Sequence, residues 1–145
     1  MDALRESERT ERASEQRENN KGVLRVYKNG AFFSSYNDDS KILNYLFGYK
    51  ISFTGTVGFP ETSLNKVVNA LEKHKINYSI LYRDHEPVTV NFKNLNNYYK
   101  ILKKALIQME NKERVDNIVN KIYNIESEET LKKILTVIED VIIHG

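Results

Sequence analysis

The feature that most restricts the fold of this chain is an Asn29-Gly30 pair between two runs of β-forming residues. Asn-Gly accepts the positive φ angles of a type I′ turn, whose twist matches that of paired strands. The sequence therefore predicts an antiparallel hairpin, with one strand over 23–27 and a return strand over 31–36. The residues that alternation places on one face of the return strand are Phe32, Ser34 and Tyr36.

A short helix is predicted directly after the hairpin. The segment from Asn37 to Ser40 offers an N-cap with acidic charge in the first turn, and Gly48 suits the C-terminal end. We therefore interpret Asp38 and Asp39 as capping residues rather than as a catalytic pair of carboxylates.

The following segment alternates between strand and helix patterns. Residues 49–53 alternate as a strand, whereas 54–60 contain two glycines and a proline and are predicted to form a loop. A helix with apolar residues spaced i, i+3, i+4 and i+7 comes next, and further strands are predicted over 76–82 and 88–92. Together these elements predict an α+β domain over residues 21–93, in which helices pack on a mixed β-sheet.

Residues 94–145 have helical periodicity throughout and are predicted to form a C-terminal helical extension. A short turn near Asn124 separates its last two apolar stripes, in 115–122 and 131–142, which predicts an antiparallel helical hairpin. These stripes either dock on the sheet or bind a helix of a partner protein. The residues that we select for a role in partner-helix binding are Ile118, Ile122 and Ile138.

The first twenty residues differ in composition from the rest of the chain. They are rich in Arg, Glu and Ser, contain no lysine and carry four basic and six acidic residues, a net charge of −2. The remainder therefore carries +4, because the whole chain has a net charge of +2. We interpret residues 1–20 as a disordered or linker-like charged tail, or as a foreign segment.

Several classes of chemistry find no support in this sequence. The chain has no cysteine, which excludes disulfides, thiolate metal sites and cysteine nucleophiles within it. The histidines, His74, His85 and His144, are far apart, and neither a Ser-His-Asp order nor a glycine-rich phosphate loop can be assembled. We therefore predict no catalytic residue, no metal site and no cofactor. A cytoplasmic protein without membrane contact is expected, since there is no long apolar run or secretory signal pattern.

Three short motifs follow one another along the predicted sheet domain. They are Lys28-Asn29-Gly30-Ala31-Phe32-Phe33, Tyr36-Asn37-Asp38-Asp39-Ser40-Lys41 and Val57-Gly58-Phe59-Pro60. In this order they resemble the N-terminal mismatch-recognition domain of the MutS DNA-repair proteins, over residues 22 to about 82. In that family a Gly-x-Phe-Tyr-Glu hairpin precedes an acidic pair that opens a helix, and a Gly-Ile/Val-Pro loop precedes the next helix. The resemblance covers less than half of the chain and implies the same mixed α+β fold.

The chain departs from that family at the residues that read DNA. The family recognises mismatches with a Phe-x-Glu pair, in which the Phe stacks on a base and the Glu hydrogen-bonds to it. Phe32 falls on the Phe, but Ser34 falls on the Glu, and a hydroxyl group does not supply a carboxylate. The family's ATPase motif, Gly-x-x-x-x-Gly-Lys-Ser/Thr, does not occur in this sequence either. The resemblance thus implies a domain used for binding alone. Phe32 is either a packed hairpin aromatic or an exposed ring that stacks on a base or a partner.

Basic residues near the start of the helical extension form a candidate DNA- or partner-binding patch, which is either a solvated face or a phosphate track. These residues are Lys93, Lys100, Lys103 and Lys104. Small proteins that combine such a domain with a helical tail are similar to prophage recombination directionality factors, which bind a large serine integrase on DNA. We expect a non-catalytic accessory in DNA transactions that binds a recombinase and contacts DNA through that complex. The alternative is a protein-binding adaptor or dimerisation module with no direct role on DNA.

Overall fold

The protein contains a five-stranded mixed β-sheet with packed helices, seen in a computed structural model that describes residues 22–94 and 96–145. The strands are β1 (Leu24–Asn29), β2 (Phe32–Tyr36), β3 (Thr56–Pro60), β4 (Tyr78–Leu81) and β5 (Val88–Val90). The helices are α1 (Asn37–Phe47), α2 (Leu64–Lys73), α3 (Asn96–Tyr123) and α4 (Glu128–His144), and a 3-10 turn, Glu61–Ser63, precedes α2. The predicted α+β class is confirmed. The predicted tail over 1–20 lies outside the described residues.

The strand order across the sheet is β3-β2-β1-β4-β5, with β1 and β4 parallel and the other pairs antiparallel. The predicted hairpin between β1 and β2 is confirmed, but its turn is shifted by one residue. Asn29 is the last residue of β1 and pairs with Phe32, so the loop consists of Gly30 and Ala31. Gly30 has φ +61°, and neither neighbour has a positive φ. This is the glycine position of a type II′ turn, and the type I′ prediction is wrong.

The edge strand β3 lies where the sequence predicts a loop, so the loop prediction is wrong for 56–60, whereas 54–55 do lie in a turn. Val57 and Phe59 alternate into the core and are almost completely buried. Gly58 between them is exposed, and Pro60 is the last residue of the strand. Proline and glycine are tolerated here because β3 has a neighbour on one side only.

Residues 49–53 form a connection rather than the predicted strand. The N–H of Ser52 donates to the carbonyl oxygen of Thr56 at 2.9 Å, and the N–H of Gly55 donates to that of Ser52, also at 2.9 Å. These turn bonds occupy backbone groups that a strand would use for pairing. Of the alternating apolar side chains, those of Tyr49 and Ile51 pack partly against the core, whereas that of Phe53 is fully exposed.

One hydrophobic core joins the sheet to α1, α2 and the first turns of α3. The sheet contributes Leu24, Val26, Phe33, Val57, Phe59, Tyr78 and Ile80 to it. The helices contribute Ile42 and Leu43 from α1, Val67 and Leu71 from α2, and Tyr98, Ile101 and Leu102 from α3. The start of the long helix is therefore part of the sheet domain's core.

The chain divides into two compact units, and the division falls inside α3, between Ile107 and Gln108. We call residues 22–107 the sheet unit and Gln108–Gly145 the helical unit. The sequence places this boundary at 93/94 instead, because the helical period begins there. The difference arises because the first turns of α3 complete the core of the sheet unit. The apolar stripe in 115–122 belongs to the same continuous helix as the buried residues at the start of α3.

The helical unit consists of the second half of α3 and the whole of α4. A short turn over 124–127 connects them, as predicted. Ser127 is the N-cap of α4, and its side chain accepts a hydrogen bond from the N–H of Thr130 at 3.3 Å. Within the described ranges, none of the helices combines the length and the apolar character that crossing a membrane requires.

Gly48 ends α1, as predicted, in the left-handed backbone region with φ +74°. A Cβ atom at this position would meet nothing within 4 Å, so only the backbone conformation penalises a side chain there. We expect Gly48→Ala to lower the free energy of unfolding by about 1 kcal/mol in urea titrations. Gly58→Ala is the matched control, because Gly58 has no positive φ and its Cβ would make an ordinary 3.8 Å contact. We expect this control to change stability by less than roughly 0.5 kcal/mol, and equal losses in both variants would contradict the interpretation.

Candidate nucleic-acid interface

The first turns of α3 have one buried side and one basic side. Tyr98, Leu102 and Ala105 are buried, and successive residues of a helix rotate by about 100°. The lysines that this rotation places on the opposite, exposed side are Lys100, Lys103 and Lys104. Packing of the buried side on the sheet unit therefore fixes the direction in which these three lysines point.

Two hydrogen bonds bring further lysines to the start of α3. The side-chain amide of Asn97 donates to the carbonyl oxygen of Lys75 at 3.2 Å, which ties the end of α2 to the first turn of α3. The N–H of Phe92 donates to Oδ1 of Asn77 at 2.7 Å, which holds the segment containing Lys93 beside β4. Lys75 and Lys93 are both exposed and have left-handed backbone, with φ +51° and +59°.

We define the lysine face as the exposed lysines of these three neighbouring segments. They are Lys73, Lys75, Lys93, Lys100, Lys103 and Lys104. None of them forms an ion pair with a carboxylate in the part of the chain that the structure describes. Their charges are therefore available to an anionic ligand such as a phosphate backbone.

Charge is distributed unequally between the two units. Residues 22–107 contain twelve Lys and Arg against six Asp and Glu, a net charge of +6. Residues 108–145 contain five against eight, a net charge of −3. Positive charge is thus concentrated in the unit that holds the lysine face, which favours contact of this unit with polyanions.

The hairpin residues singled out from the sequence do not form one exposed surface. Phe32 is 54% exposed and lies opposite Pro60 on β3, whereas Ser34 and Tyr36 are only 9% and 3% exposed. The ring of Tyr36 packs at 5.5 Å from that of Tyr27. The sheet is covered on this face from Ser34 onward, so only Phe32 remains available to a base or a partner.

The carboxyl group of Asp39, which the sequence analysis interprets as a helix cap, is completely buried. Instead, Oδ2 accepts a hydrogen bond from the backbone N–H of Arg25 at 3.0 Å, and Oδ1 accepts one from the hydroxyl group of Tyr98 at 2.5 Å. The N-cap of α1 is Tyr36, and no side chain caps this helix. The capping interpretation of Asp38 and Asp39 is therefore wrong.

Burial of Asp39 raises its pKa from 3.8 to about 7. Desolvation is the largest cause, and the hydrogen bonds from Tyr98 and the Arg25 backbone act against it because they stabilise the carboxylate. The Asp39–Tyr98 bond also joins α1 to the buried side of α3. It thereby helps to hold the helix whose opposite side carries Lys100 and Lys104.

The three histidines lie in separate environments. His74 is the C-cap of α2. The ring of His85 packs at a tilt against that of Tyr82, with the ring centroids 3.9 Å apart, and His144 lies 3.7 Å from Asp140 one turn earlier in α4. No group of three or more metal-binding side chains occurs among the described residues.

The isoleucines selected for helix binding all lie in the helical unit. Ile118 is 52% exposed, whereas Ile122 and Ile138 are partly buried. No residue of this unit is buried. The helical unit therefore presents apolar side chains at its surface in addition to the lysine face of the sheet unit.

No protein-family model matches this sequence, and no curated protein matches it at a significant level.

Proposed function

We propose that the protein is a non-catalytic accessory in DNA transactions that contacts the phosphate backbone through its lysine face. The observation that carries this proposal is the set of six exposed lysines without carboxylate partners, on a unit of net charge +6. Lysines placed in this way neutralise phosphates and release counterions, which is the main source of sequence-independent affinity for DNA. Exposed Phe32 adds an aromatic ring that can stack on a base.

The protein partner that we propose is a DNA recombinase, with a large serine integrase as the first candidate. This part of the proposal rests on the resemblance of the hairpin and loop motifs, and on the combination of a small sheet unit with a helical unit. The protein would bind the integrase on its attachment-site DNA and change its preference between integration and excision.

A gel shift and a pull-down with a serine integrase from the same genetic element test the recombinase role. We expect a supershift of the integrase–DNA complex, together with a switch between integration and excision activity. If the folded protein produces neither effect, the recombinase role is wrong, whereas retention on DNA alone would leave only the DNA-binding role.

Neutralising the lysines of α3 tests the DNA contact itself. We expect the triple variant Lys100→Gln, Lys103→Gln, Lys104→Gln to bind duplex DNA at least tenfold more weakly at low salt. The slope of log affinity against log salt should fall by up to about 3, since each phosphate contact contributes about 0.9. Fluorescence anisotropy over a salt series measures both quantities.

A matched control for this variant exists on the same helix. Lys112→Gln, Arg114→Gln and Lys121→Gln remove the same charge from exposed positions of α3 that lie in the helical unit. If the control weakens DNA binding as much as the lysine-face variant does, the affinity for DNA depends only on the net charge of the protein, and the proposed interface is incorrect.

A second candidate function is a protein-binding adaptor that does not touch DNA. The exposed apolar residues of the helical unit favour it, because such side chains are typical of protein interfaces. This candidate would be favoured if the protein does not bind DNA even at low salt but does capture a protein partner.

A further inference from the structure

The β-sheet has a second face, opposite the one on which the hydrophobic core lies. Alternation along β1, β2 and β4 places on this face the residues between the core positions of each strand. The strand registers show that they share it, since Tyr27 pairs with Ser34 and Arg25 pairs with Ser79. We define the second face by the residues Arg25, Tyr27, Ser34, Tyr36 and Ser79.

This second face is buried, although the helices of the sheet unit pack on the other one. Tyr27 and Tyr36 are only 7% and 3% exposed, yet neither belongs to the hydrophobic core. The buried Ile, Leu, Val and Tyr side chains of α1, α2 and α3 all lie in that core. Partly buried side chains of the connecting segments pack against the same core, among them Tyr49, Ile51, Tyr82 and Phe92. A sheet with one packed face leaves the other open to water unless a further segment covers it. The second face therefore has a cover other than these elements.

The cover is complete at one end of the second face and absent at the other. Along β2, exposure rises from 3% at Tyr36 through 9% at Ser34 to 54% at Phe32, which lies next to the hairpin turn. Tyr36 lies at the end where β1 begins, because β1 and β2 are antiparallel. The chain enters β1 at this end through Gly22, which is buried and lies in a bend with φ +77°. The residues before Gly22 therefore join the sheet where its second face is best covered.

Residues 1–20 are long enough to reach across this face in any regular conformation. Three neighbouring strands, about 4.8 Å apart, make the second face about 10 Å wide. Twenty residues span about 30 Å even at the 1.5 Å per residue of a helix, and more when they are extended. The bend at Gly22 allows them to run back over the sheet, because glycine adopts the left-handed conformation without steric cost.

The chemistry of the second face matches that of residues 1–20. The face consists of tyrosine, serine and arginine, so its occupant must form hydrogen bonds as well as cover aromatic rings. Nη1 of Arg25 is shielded from solvent and has no hydrogen-bond partner among the described residues. Residues 1–20 offer six carboxylates and a net charge of −2, against +6 on residues 22–107. The apolar stems of their four arginines can lie on tyrosine rings while the charged ends stay in water.

We propose that residues 1–20 lie across the second face of the sheet, with a carboxylate of this segment bound to the guanidinium group of Arg25. The segment then completes the sheet unit and is not the free tail that its composition alone indicates. The proposal does not depend on the DNA role.

Thiol protection in single-cysteine variants tests the cover, since the chain contains no cysteine of its own. Ser34→Cys places the thiol on the second face, whereas Ser35→Cys, the matched control, places it on the core face of the same strand. We expect iodoacetamide to alkylate the Ser34→Cys thiol at least tenfold faster when residues 1–20 are deleted, as measured by mass spectrometry. The Ser35→Cys thiol should react slowly in both chains, because the helices still cover it.

A full-length variant tests the charge contact without removing any residue. Neutralising the six carboxylates of the segment should speed alkylation of the Ser34→Cys thiol at least threefold, because Arg25 loses its acceptor. The rate for Ser35→Cys should not change. The six substitutions are Asp2→Asn, Glu6→Gln, Glu8→Gln, Glu11→Gln, Glu15→Gln and Glu18→Gln.

Each of three results would overturn the proposal. The first is a Ser34→Cys thiol that reacts at the same rate with and without residues 1–20. The second is equal acceleration for Ser34→Cys and Ser35→Cys, which would show that the sheet unit opens as a whole. The third is protection that is lost on dilution, which would assign the face to a second copy. If circular dichroism shows that the shortened chain is unfolded, the full-length neutralised variant decides, and an unchanged rate in it overturns the proposal.

Discussion

Asp39→Asn is expected to raise the free energy of unfolding at pH 8 by up to roughly 4 kcal/mol. This value follows from the rise of the Asp39 pKa from 3.8 to about 7, at about 1.4 kcal/mol for each pKa unit. Asparagine has nearly the shape of a protonated aspartate but carries no charge. Its amide oxygen can accept the N–H of Arg25, and its NH₂ group can donate to the hydroxyl oxygen of Tyr98. The variant therefore keeps both contacts without the desolvation of a charge.

The sign of the pH dependence follows from the same pKa. Because the folded-state pKa of Asp39 is above the ordinary 3.8, the folded protein binds this proton more tightly than the unfolded chain does. The stability that this group contributes is complete below pH 4 and is lost as the pH rises to about 7. Urea unfolding of both proteins should show the gap between Asp39→Asn and wild type widening by roughly 3 kcal/mol from pH 5 to pH 8. A gap that is independent of pH would contradict a buried, titrating Asp39.

Tyr98→Ala is expected to lower the free energy of unfolding by about 3–5 kcal/mol, the usual loss when a buried aromatic side chain is truncated. Tyr98 is completely buried and bonds to Asp39, so the variant loses both packing and a hydrogen bond. The adjacent Tyr99 is 48% exposed and provides the control. Tyr99→Ala should lower stability by no more than about 1 kcal/mol in the same urea titrations at pH 6.

Tyr98→Phe separates packing from hydrogen bonding. It keeps the ring and removes the hydroxyl group that stabilises the Asp39 carboxylate, so the pKa of Asp39 should rise further. Above pH 7 we expect a loss of about 1–3 kcal/mol. Equal losses in Tyr98→Ala and Tyr99→Ala would show that α3 does not dock on the sheet unit through its Tyr98 side.

Local sequence signals predict most of the helices and the hairpin. Gly48 ends α1, as predicted, because this signal depends only on nearby backbone groups. The error at β3 has a physical origin as well. Glycine and proline indicate a loop when a segment is considered alone, but an edge strand leaves room for both. Whether a strand lies at an edge is decided by the whole sheet, which no local pattern contains.

The environment of Asp39 could not be predicted either, because it also depends on residues that are distant in the sequence. Its partner Tyr98 lies 59 residues away, and an acidic pair before a helix is far more often a cap. The lysines of α3 were found from helical spacing, whereas Lys73 and Lys75 join them only because Asn97 ties α2 to α3. The burial of Ser34 and Tyr36 on β2 likewise depends on tertiary packing, because the alternation of a strand does not show whether both of its faces are covered.

The left-handed backbone at Lys75 has a consequence for how this protein can evolve. The N–H groups of Lys75 and Ile76 bond to the carbonyl oxygens of Glu72 and Leu71, a helix ending in which glycine usually holds the left-handed position. Lysine there gives up about 1 kcal/mol of stability. A change to glycine would recover this energy and remove one charge from the lysine face. Selection for stability and selection for the proposed DNA contact therefore oppose each other at this residue, so a lysine retained there would reflect binding rather than folding.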